Sequence, residues 1–296
     1  MYLFSMLKRI KLRKVRIEIL QGGTNMANRL EGKIAVVTGA ASGMGKAIAL
    51  DFLREGARLV GVDVNEERLA ELVSEAAAEG FGEDVLVTMK GNICSDADCD
   101  AAVKKCVDTF GSMNVLSHNA GISDDFTLVE DIRNEDWDKL LAVNLTGSMK
   151  ITRSALRYFK SEHDKDEDFQ ASIVMITSNA AFESATGGPA YSASKAGANA
   201  LMKSIAFEYY RFGIRCNSIC PGPILTNITD SAPVFNPKGS EIHQTSGYNS
   251  DAWKWTGGIL GFPEQISPLA VYLASDESVF MNGNSCVIDS GVCLSR

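Results

Sequence analysis

The sequence predicts a single-domain α/β fold: a doubly wound parallel sheet of about seven strands with helices on both faces. Three observations predict it. Short β-branched runs alternate with longer helical patterns from residue 33 onward, and the spacings leave the dozen or more residues that each parallel crossover needs. A glycine-rich turn joins the first strand pattern to the first helix pattern. No internal repeat or long low-complexity linker divides the chain.

In order, residues 33–38, 58–62, 85–90, 115–118, 172–177, 215–220 and 285–288 read as strands, rich in Val, Ile and other residues that pack on a pleated surface. Helical patterns fall near 44–56, 65–79, 96–110, 134–160, 190–212 and 264–274. Two stretches break the alternation. Residues 161–170 (SEHDKDEDFQ) are charge-dense and read as a solvated loop. Residues 224–262 carry Pro233, Pro237 and several glycines without periodicity, yet hold Phe235, Tyr248, Trp253, Trp255 and Phe262. A loop that long and that aromatic is expected to cover a substrate.

The 296 residues carry 29 basic and 37 acidic side chains, a net charge of −8. Residues 1–28 hold six of the basic side chains and one acid, Glu18, which leaves 23 basic against 36 acidic and a net of −13 for residues 29–296. A surface that tracks nucleic-acid phosphates needs clustered Lys and Arg, so DNA and RNA are not expected partners. Seven cysteines with no CxxC pair and only three histidines argue against a zinc ribbon or disulfide framework. They fit free thiols in a reducing cytoplasm. No uninterrupted run of 18 apolar residues occurs, so no membrane span is expected.

The first 28 residues form a basic extension expected to lie outside the fold, with the folded domain running over 29–296. The extension lacks the apolar core of a secretory signal. A transit peptide, a membrane-surface helix, or a true start at Met26 remain open readings.

The first strand runs into Thr38-Gly39-Ala40-Ala41-Ser42-Gly43-Met44-Gly45 before the helix. Glycines at 39, 43 and 45 let the chain turn sharply and bring backbone amides and a helix N-terminus against a pyrophosphate. Such a turn in a strand–turn–helix context is the dinucleotide-binding device of a Rossmann fold. The second strand closes on Asp63, eighteen positions after Gly45. A carboxylate there accepts hydrogen bonds from the adenosine ribose and repels a 2′-phosphate, which points to NAD over NADP. The competing reading makes Asp63 the N-cap of the helix that follows.

Taken with these residues, the rest of the chain resembles the short-chain dehydrogenase/reductase family over essentially all of 30–296. Thr38, Gly39, Gly43 and Gly45 match its TGxxxGxG turn, and His118-Asn119-Ala120-Gly121 its NNAG motif. Asn144 matches its helix asparagine, Ser178 its catalytic serine, and Tyr191-Ser192-Ala193-Ser194-Lys195 its YxxxK motif. Pro221, Gly222, Ile224 and Thr226 resemble the segment beside the nicotinamide, and Asn92 with Ile93 the adenine side. The resemblance therefore implies cofactor contacts from Gly39, Ser42, Gly43, Met44, Gly45, Asp63, Asn92, Ile93, Asn119, Ala120, Gly121, Tyr191, Lys195, Pro221, Gly222, Ile224 and Thr226. Two positions depart from it. His118 replaces an Asn and is expected only to support the sheet, and Asn92 replaces an Asp while keeping a carbonyl acceptor.

On a helix Tyr191 and Lys195 are i and i+4 and rise on one face. An isolated phenol with a pKa near ~10 is a poor base at neutral pH, and a neighbouring ammonium is expected to lower it. The resemblance further implies that Lys195 binds the nicotinamide ribose, that Ser178 stabilises charge on the substrate oxygen, and that Asn144 anchors a water in a proton path. The expected activity is reversible hydride transfer between NAD(H) and a secondary alcohol or ketone, on a bulky apolar substrate such as a hydroxysteroid or bile acid. A 3-oxoacyl-thioester reductase and a non-catalytic NAD-binding regulator are the alternatives. A cytoplasmic homotetramer is expected from the resemblance alone.

Overall fold

The computed structural model describes residues 28–183, 187–231, 234–245 and 260–294. Seven strands form one parallel sheet: β1 (Ile34–Thr38), β2 (Arg58–Asp63), β3 (Leu86–Lys90), β4 (Val115–His118), β5 (Ala171–Ile176), β6 (Ile214–Pro221) and β7 (Ser285–Ile288), in the spatial order β3-β2-β1-β4-β5-β6-β7. The order reverses between β1 and β4. Ala35–Thr38 of β1 pair with Val115–His118 of β4, so the two chains leave the sheet side by side and open a crevice at their carboxyl ends.

Helices cover both faces: α1 (Gly43–Arg54), α2 (Glu66–Ala78), α3 (Asp96–Phe110), α4 (Asn134–Leu141), α5 (Ser148–His163), α6 (Pro189–Tyr209), α7 (Pro237–Thr245) and α8 (Ser267–Ala274). The alternation of side chains along β1 divides the core. Ala35 and Val37 pack with Ile48 and Phe52 of α1, Leu72 of α2 and Leu273 of α8. Ile34 and Val36 face the other way, with Cys106 of α3, Phe159 of α5 and Met202 of α6. Both faces are apolar because a parallel sheet is buried on both sides. Each fully buried Phe or Leu contributes about 1.5–3 kcal/mol by leaving water.

Three expectations are corrected. The helical pattern at 134–160 is helical throughout but not uniformly α, because a π-helical turn, Ala142–Gly147, joins α4 to α5. Helix α5 continues to His163, so only the later part of 161–170 is a turn before β5. The segment 224–262, read as a loop, forms among its described residues a short turn at Asn227–Ser231 and the helix α7. Pro237 stands at the start of α7, where its missing N–H costs nothing. Tyr248, Trp253, Trp255 and residues 1–27 lie outside the described residues. Among the described residues no helix is long and apolar enough to cross a membrane.

Candidate active site

A cleft of about 500 Å³ lies over the carboxyl ends of β1, β2 and β4. Its floor is the β1–α1 turn. Gly39 and Gly43 take φ of +65° and +52°, values that L side chains rarely adopt, and a Cβ at Gly39 would lie 2.8 Å from the Ala120 amide nitrogen. Ser42 enters the helix in extended backbone without a capping bond from its hydroxyl, and no acid stands in the first turn of α1. The first-turn residues Gly43, Met44 and Gly45 line the cleft. An uncapped helix N-terminus carries partial positive charge and orphan donors that suit a phosphate.

Asp63 closes β2 on the same cleft. Its two oxygens accept from the backbone amides of Ala41, at 3.2 Å, and Asn65, at 3.0 Å. The N-cap of α2 is Asn65, whose side chain accepts from the Arg68 amide at 3.0 Å, so Asp63 does not cap that helix. Asn119 donates to the carbonyls of Thr38 and Ser117, while its own buried Oδ1 has no hydrogen-bond partner. The open helix end, the fixed carboxylate and the orphaned acceptor fit a dinucleotide.

The catalytic candidates converge beyond Gly121. Ser178 follows β5, and Tyr191 and Lys195 project from the first two turns of α6. The Ser178 hydroxyl hydrogen-bonds the Tyr191 phenol and accepts from the Ala180 amide at 3.1 Å. The Lys195 Nζ lies 5.6 Å from the centre of the Tyr191 ring and donates to the Ile176 carbonyl at 3.3 Å. A Cβ on Gly121 would sit 3.2 Å from both Lys195 Nζ and Asn144 Oδ1, so the bare glycine lets both side chains approach the cleft wall. Burial pushes the phenol up to about 12, the Asp124 charge adds to this, and the Ser178 bond opposes it. Burial pushes Lys195 down to about 8. The phenol therefore stands above its ordinary value, where a lowering by the lysine was expected, because desolvation of the phenolate is the largest cause.

Asn144 sits in the π-helical turn and spends its side chain on structure. Its Oδ1 accepts from the Ile122 amide at 2.9 Å, and its Nδ2 donates to the Ile122 carbonyl at 2.9 Å and to Ser194 Oγ at 3.1 Å. Its carbonyl accepts from Ser148 Oγ at 2.6 Å. The side chain thus locks the strand-to-loop passage after Gly121 against helix α6. His118 closes β4 fully buried, with Nδ1 2.8 Å from Thr38 Oγ1 and Nε2 2.8 Å from Ser148 Oγ.

Of the residues expected at the cofactor, Gly39, Ser42, Gly43, Met44, Gly45, Asp63, Asn92, Ile93, Asn119, Ala120, Gly121 and Thr226 line the cleft. Asn92 commits its Oδ1 to the Cys94 amide at 2.9 Å. Tyr191, Lys195, Pro221, Gly222 and Ile224 are not among its walls: Gly222 abuts Asp289, and Ile224 bridges to Gly261 and packs on the core. Sequence reasoning missed Asn65, Arg68, Ile122, Asp230 and Ser231. Arg68 on α2 pairs with Asp230 of the Asn227–Ser231 turn at 2.9 Å, and their pairing across 162 residues leaves no local signal.

A family pattern described as short chain dehydrogenase matches residues 33–234. The chain is 38% identical to the 3beta-hydroxysteroid dehydrogenase 2 of Eggerthella lenta over 262 residues, 88% of this chain and 95% of that one. It is 34% identical to a 3-oxoacyl-(acyl-carrier-protein) reductase of Thermotoga maritima, over 90% of this chain and all of that one. The crystal structure of a 3-ketoacyl-(acyl-carrier-protein) reductase from Brucella melitensis complexed with NADH superposes with a TM-score of 0.76 at 27% identity, over 89% of this chain and 99% of that one. With its seven-stranded parallel sheet, glycine turn and Ser178, Tyr191 and Lys195 in one site, the chain belongs to the short-chain dehydrogenase family of oxidoreductases.

Proposed function

We propose that the protein transfers hydride reversibly between NAD(H) and a secondary alcohol or ketone, on a bulky apolar substrate such as a hydroxysteroid or bile acid. The observation that carries this reading is the convergence of Ser178, Tyr191 and Lys195 beside a cleft walled by Asp63. The α1 N-terminus and Gly39–Gly45 would hold the pyrophosphate, Asp63 the adenosine ribose, Asn92 and Ile93 the adenine side, and Thr226 the nicotinamide end. The nicotinamide, when bound, supplies or accepts the hydride.

The remaining chemistry belongs to the chain. Ser178 holds the substrate oxygen and stabilises charge that develops there. Tyr191 exchanges the proton on that oxygen. A phenol at about 12 is protonated at neutral pH, the form that gives its proton to a carbonyl in the reducing direction; oxidation needs the phenolate. Lys195, at about 8, passes between charged and neutral forms near physiological pH and suits the next step of a proton path and a ribose contact. Asn144 keeps Ile122 and Ser194 in place around that path.

Asp63 favours NAD because no basic side chain in the glycine turn offsets a 2′-phosphate. The segment 224–262 covers the substrate, with Phe235 as an apolar contributor, and residues 29–296 form the working domain. A homotetramer built through the helices at 134–160 and 190–212, in the cytoplasm, is proposed by analogy. The hydroxysteroid class draws support from the Eggerthella lenta relative. The Thermotoga maritima relative supports a thioester reductase as second reading, against which Asp63 counts. An intact Ser/Tyr/Lys set speaks against a silent regulator. The test is a screen of sterols, bile acids, acyl thioesters, sugars and small alcohols with NAD(H) and NADP(H), followed by nicotinamide absorbance. Turnover confined to acyl thioesters with NADPH would overturn the reading.

A further inference from the structure

We propose that Asp124 is a positioning residue that ties the covering segment to the catalytic helix, so that the seating of that segment and the placement of Tyr191 form one unit. The proposal rests on Tyr191 as the acid–base residue.

Asp124 lies three residues beyond Gly121 and is 8% exposed. Its Oδ1 accepts from the Gly188 amide and its Oδ2 from the Tyr191 amide, both at 3.0 Å. Helix α6 has Gly188 as N-cap, Pro189 in its first turn and no acid there, so it lacks a cap of its own. Asp124 supplies the missing acceptor, and its charge meets the positive end of the helix dipole. The fit requires glycine at 188, where a Cβ would lie 2.4 Å from Asp124 Oδ2. One of the two amides held in this way is that of the catalytic tyrosine.

The same carboxylate also accepts from the Phe126 amide, and that loop carries the covering segment. The Ser123 amide donates to Ser231 Oγ at 2.9 Å, and the Asn236 amide to the Asp125 carbonyl at 2.7 Å. The Phe126 and Phe235 rings stack at 5.1 Å. Phe126 takes φ +62°, a left-handed conformation costly for a bulky residue, which persists only where its surroundings hold it. A Cβ on Gly239 of α7 would lie 1.8 Å from the Phe126 carbonyl oxygen, so α7 rests on the backbone of the loop. A displacement of Ser231 or of 234–240 by substrate therefore pulls on the residue that fixes Tyr191.

Among the described residues, the charged groups facing Tyr191 are Asp124 from the loop after β4 and Lys195 on its own helix; Ser178 from the end of β5 faces it as a neutral partner. Replacing Asp124 by the isosteric Asn removes the negative charge and one of the acceptors. The experiment measures kcat against pH for alcohol oxidation in the wild type, Asp124→Asn, Gly239→Ala and Tyr191→Phe, with NADH affinity by fluorescence. For Asp124→Asn the limb that reports the phenol moves to lower pH by about half a unit or more. Its kcat falls about tenfold as Tyr191 loses its anchor, with NADH affinity unchanged. Gly239→Ala lifts α7 from Phe126, keeps the charge, and lowers kcat without moving the limb. Wild-type pH profile and kcat in Asp124→Asn, or wild-type kcat in Gly239→Ala, overturn the proposal, and the second arm decides the coupling even where the first variant does not fold. An active Tyr191→Phe removes the underlying assignment of the tyrosine; an inactive one beside an unchanged Asp124→Asn removes only the role of Asp124.

Discussion

Replacing His118 by asparagine, the residue that the family motif carries there, should flatten the acid sensitivity of the fold. The hydrogen bonds assign the imidazole. Ser148 Oγ gives its proton to the Asn144 carbonyl at 2.6 Å, so His118 Nε2–H donates to Ser148 Oγ, and Nδ1 accepts from the Thr38 hydroxyl. Thr38 Oγ1 already accepts from the Asn119 amide at 3.2 Å. A second proton on the ring would take the acceptor away from Thr38 and bury a charge, and burial, with the nearby Lys195 charge, pushes His118 down to about 3. Above pH 6.5 folded and unfolded states both carry neutral imidazole, and His118 has no effect on pH dependence. Below it the unfolded chain takes up a proton that the folded one refuses, so stability falls as pH drops from about 6.5 towards about 3. At pH 5 the loss is about 2 kcal/mol. Urea denaturation midpoints at pH 7.5 and 5.0 measure it: the wild type should lose about 2 kcal/mol more than His118→Asn between the two. The smaller side chain also lowers stability by roughly 1–2 kcal/mol at both pH values, which cancels in the comparison. Parallel pH dependences would refute the reasoning.

Two further outcomes concern the cofactor cleft. Asp63→Ser should lower kcat/KM for NAD⁺ about 10- to 100-fold, since hydrogen bonds to a charged acceptor contribute about 1.5–3 kcal/mol, and should raise it for NADP⁺; an unchanged ratio of the two contradicts the ribose assignment. Gly45→Ala would place a Cβ 2.0 Å from the Gly39 carbonyl oxygen, a backbone contact that only opening of the turn relieves, so NADH affinity by fluorescence titration should fall at least about 100-fold. Wild-type affinity would show that the turn does not hold the cofactor.

Where the chemistry is local, the fold and the site were legible in the sequence. The strand at 115–118 has the bounds of β4, and helix 96–110 those of α3, because Ser95 caps its start and Gly111 ends it in left-handed backbone. The glycine turn and the Tyr191–Lys195 pair were readable because each is a short segment with fixed spacing. The π-helical turn at Ala142–Gly147 was not, since apolar periodicity continues on both sides and the contact made from it, the grip of Asn144 on Ile122, is tertiary. Helix α7 was hidden by Gly239, whose weak helix propensity is overridden by packing on Phe126. Pro221, Gly222 and Ile224 stand outside the cleft walls, since a motif shared with relatives gives position along the chain, whereas contact depends on what each residue abuts, here Asp289 and Gly261. Asp124 gave no signal at all. Neither its burial nor its two helix amides can be inferred from its place beside Asp125.

The central claim is that Tyr191 exchanges the substrate proton in a site whose cofactor cleft is separately built. The Tyr191 ring is seated against Gly187, where a Cβ would lie 2.4 Å from Cδ1, so phenylalanine keeps the packing and removes only the hydroxyl. Turnover and NADH binding of Tyr191→Phe, measured on the same preparation, test the claim most directly. Tyr191→Phe should lose about 10²–10⁴-fold in kcat with NADH affinity retained; turnover near the wild-type rate would remove the tyrosine from the proton transfer.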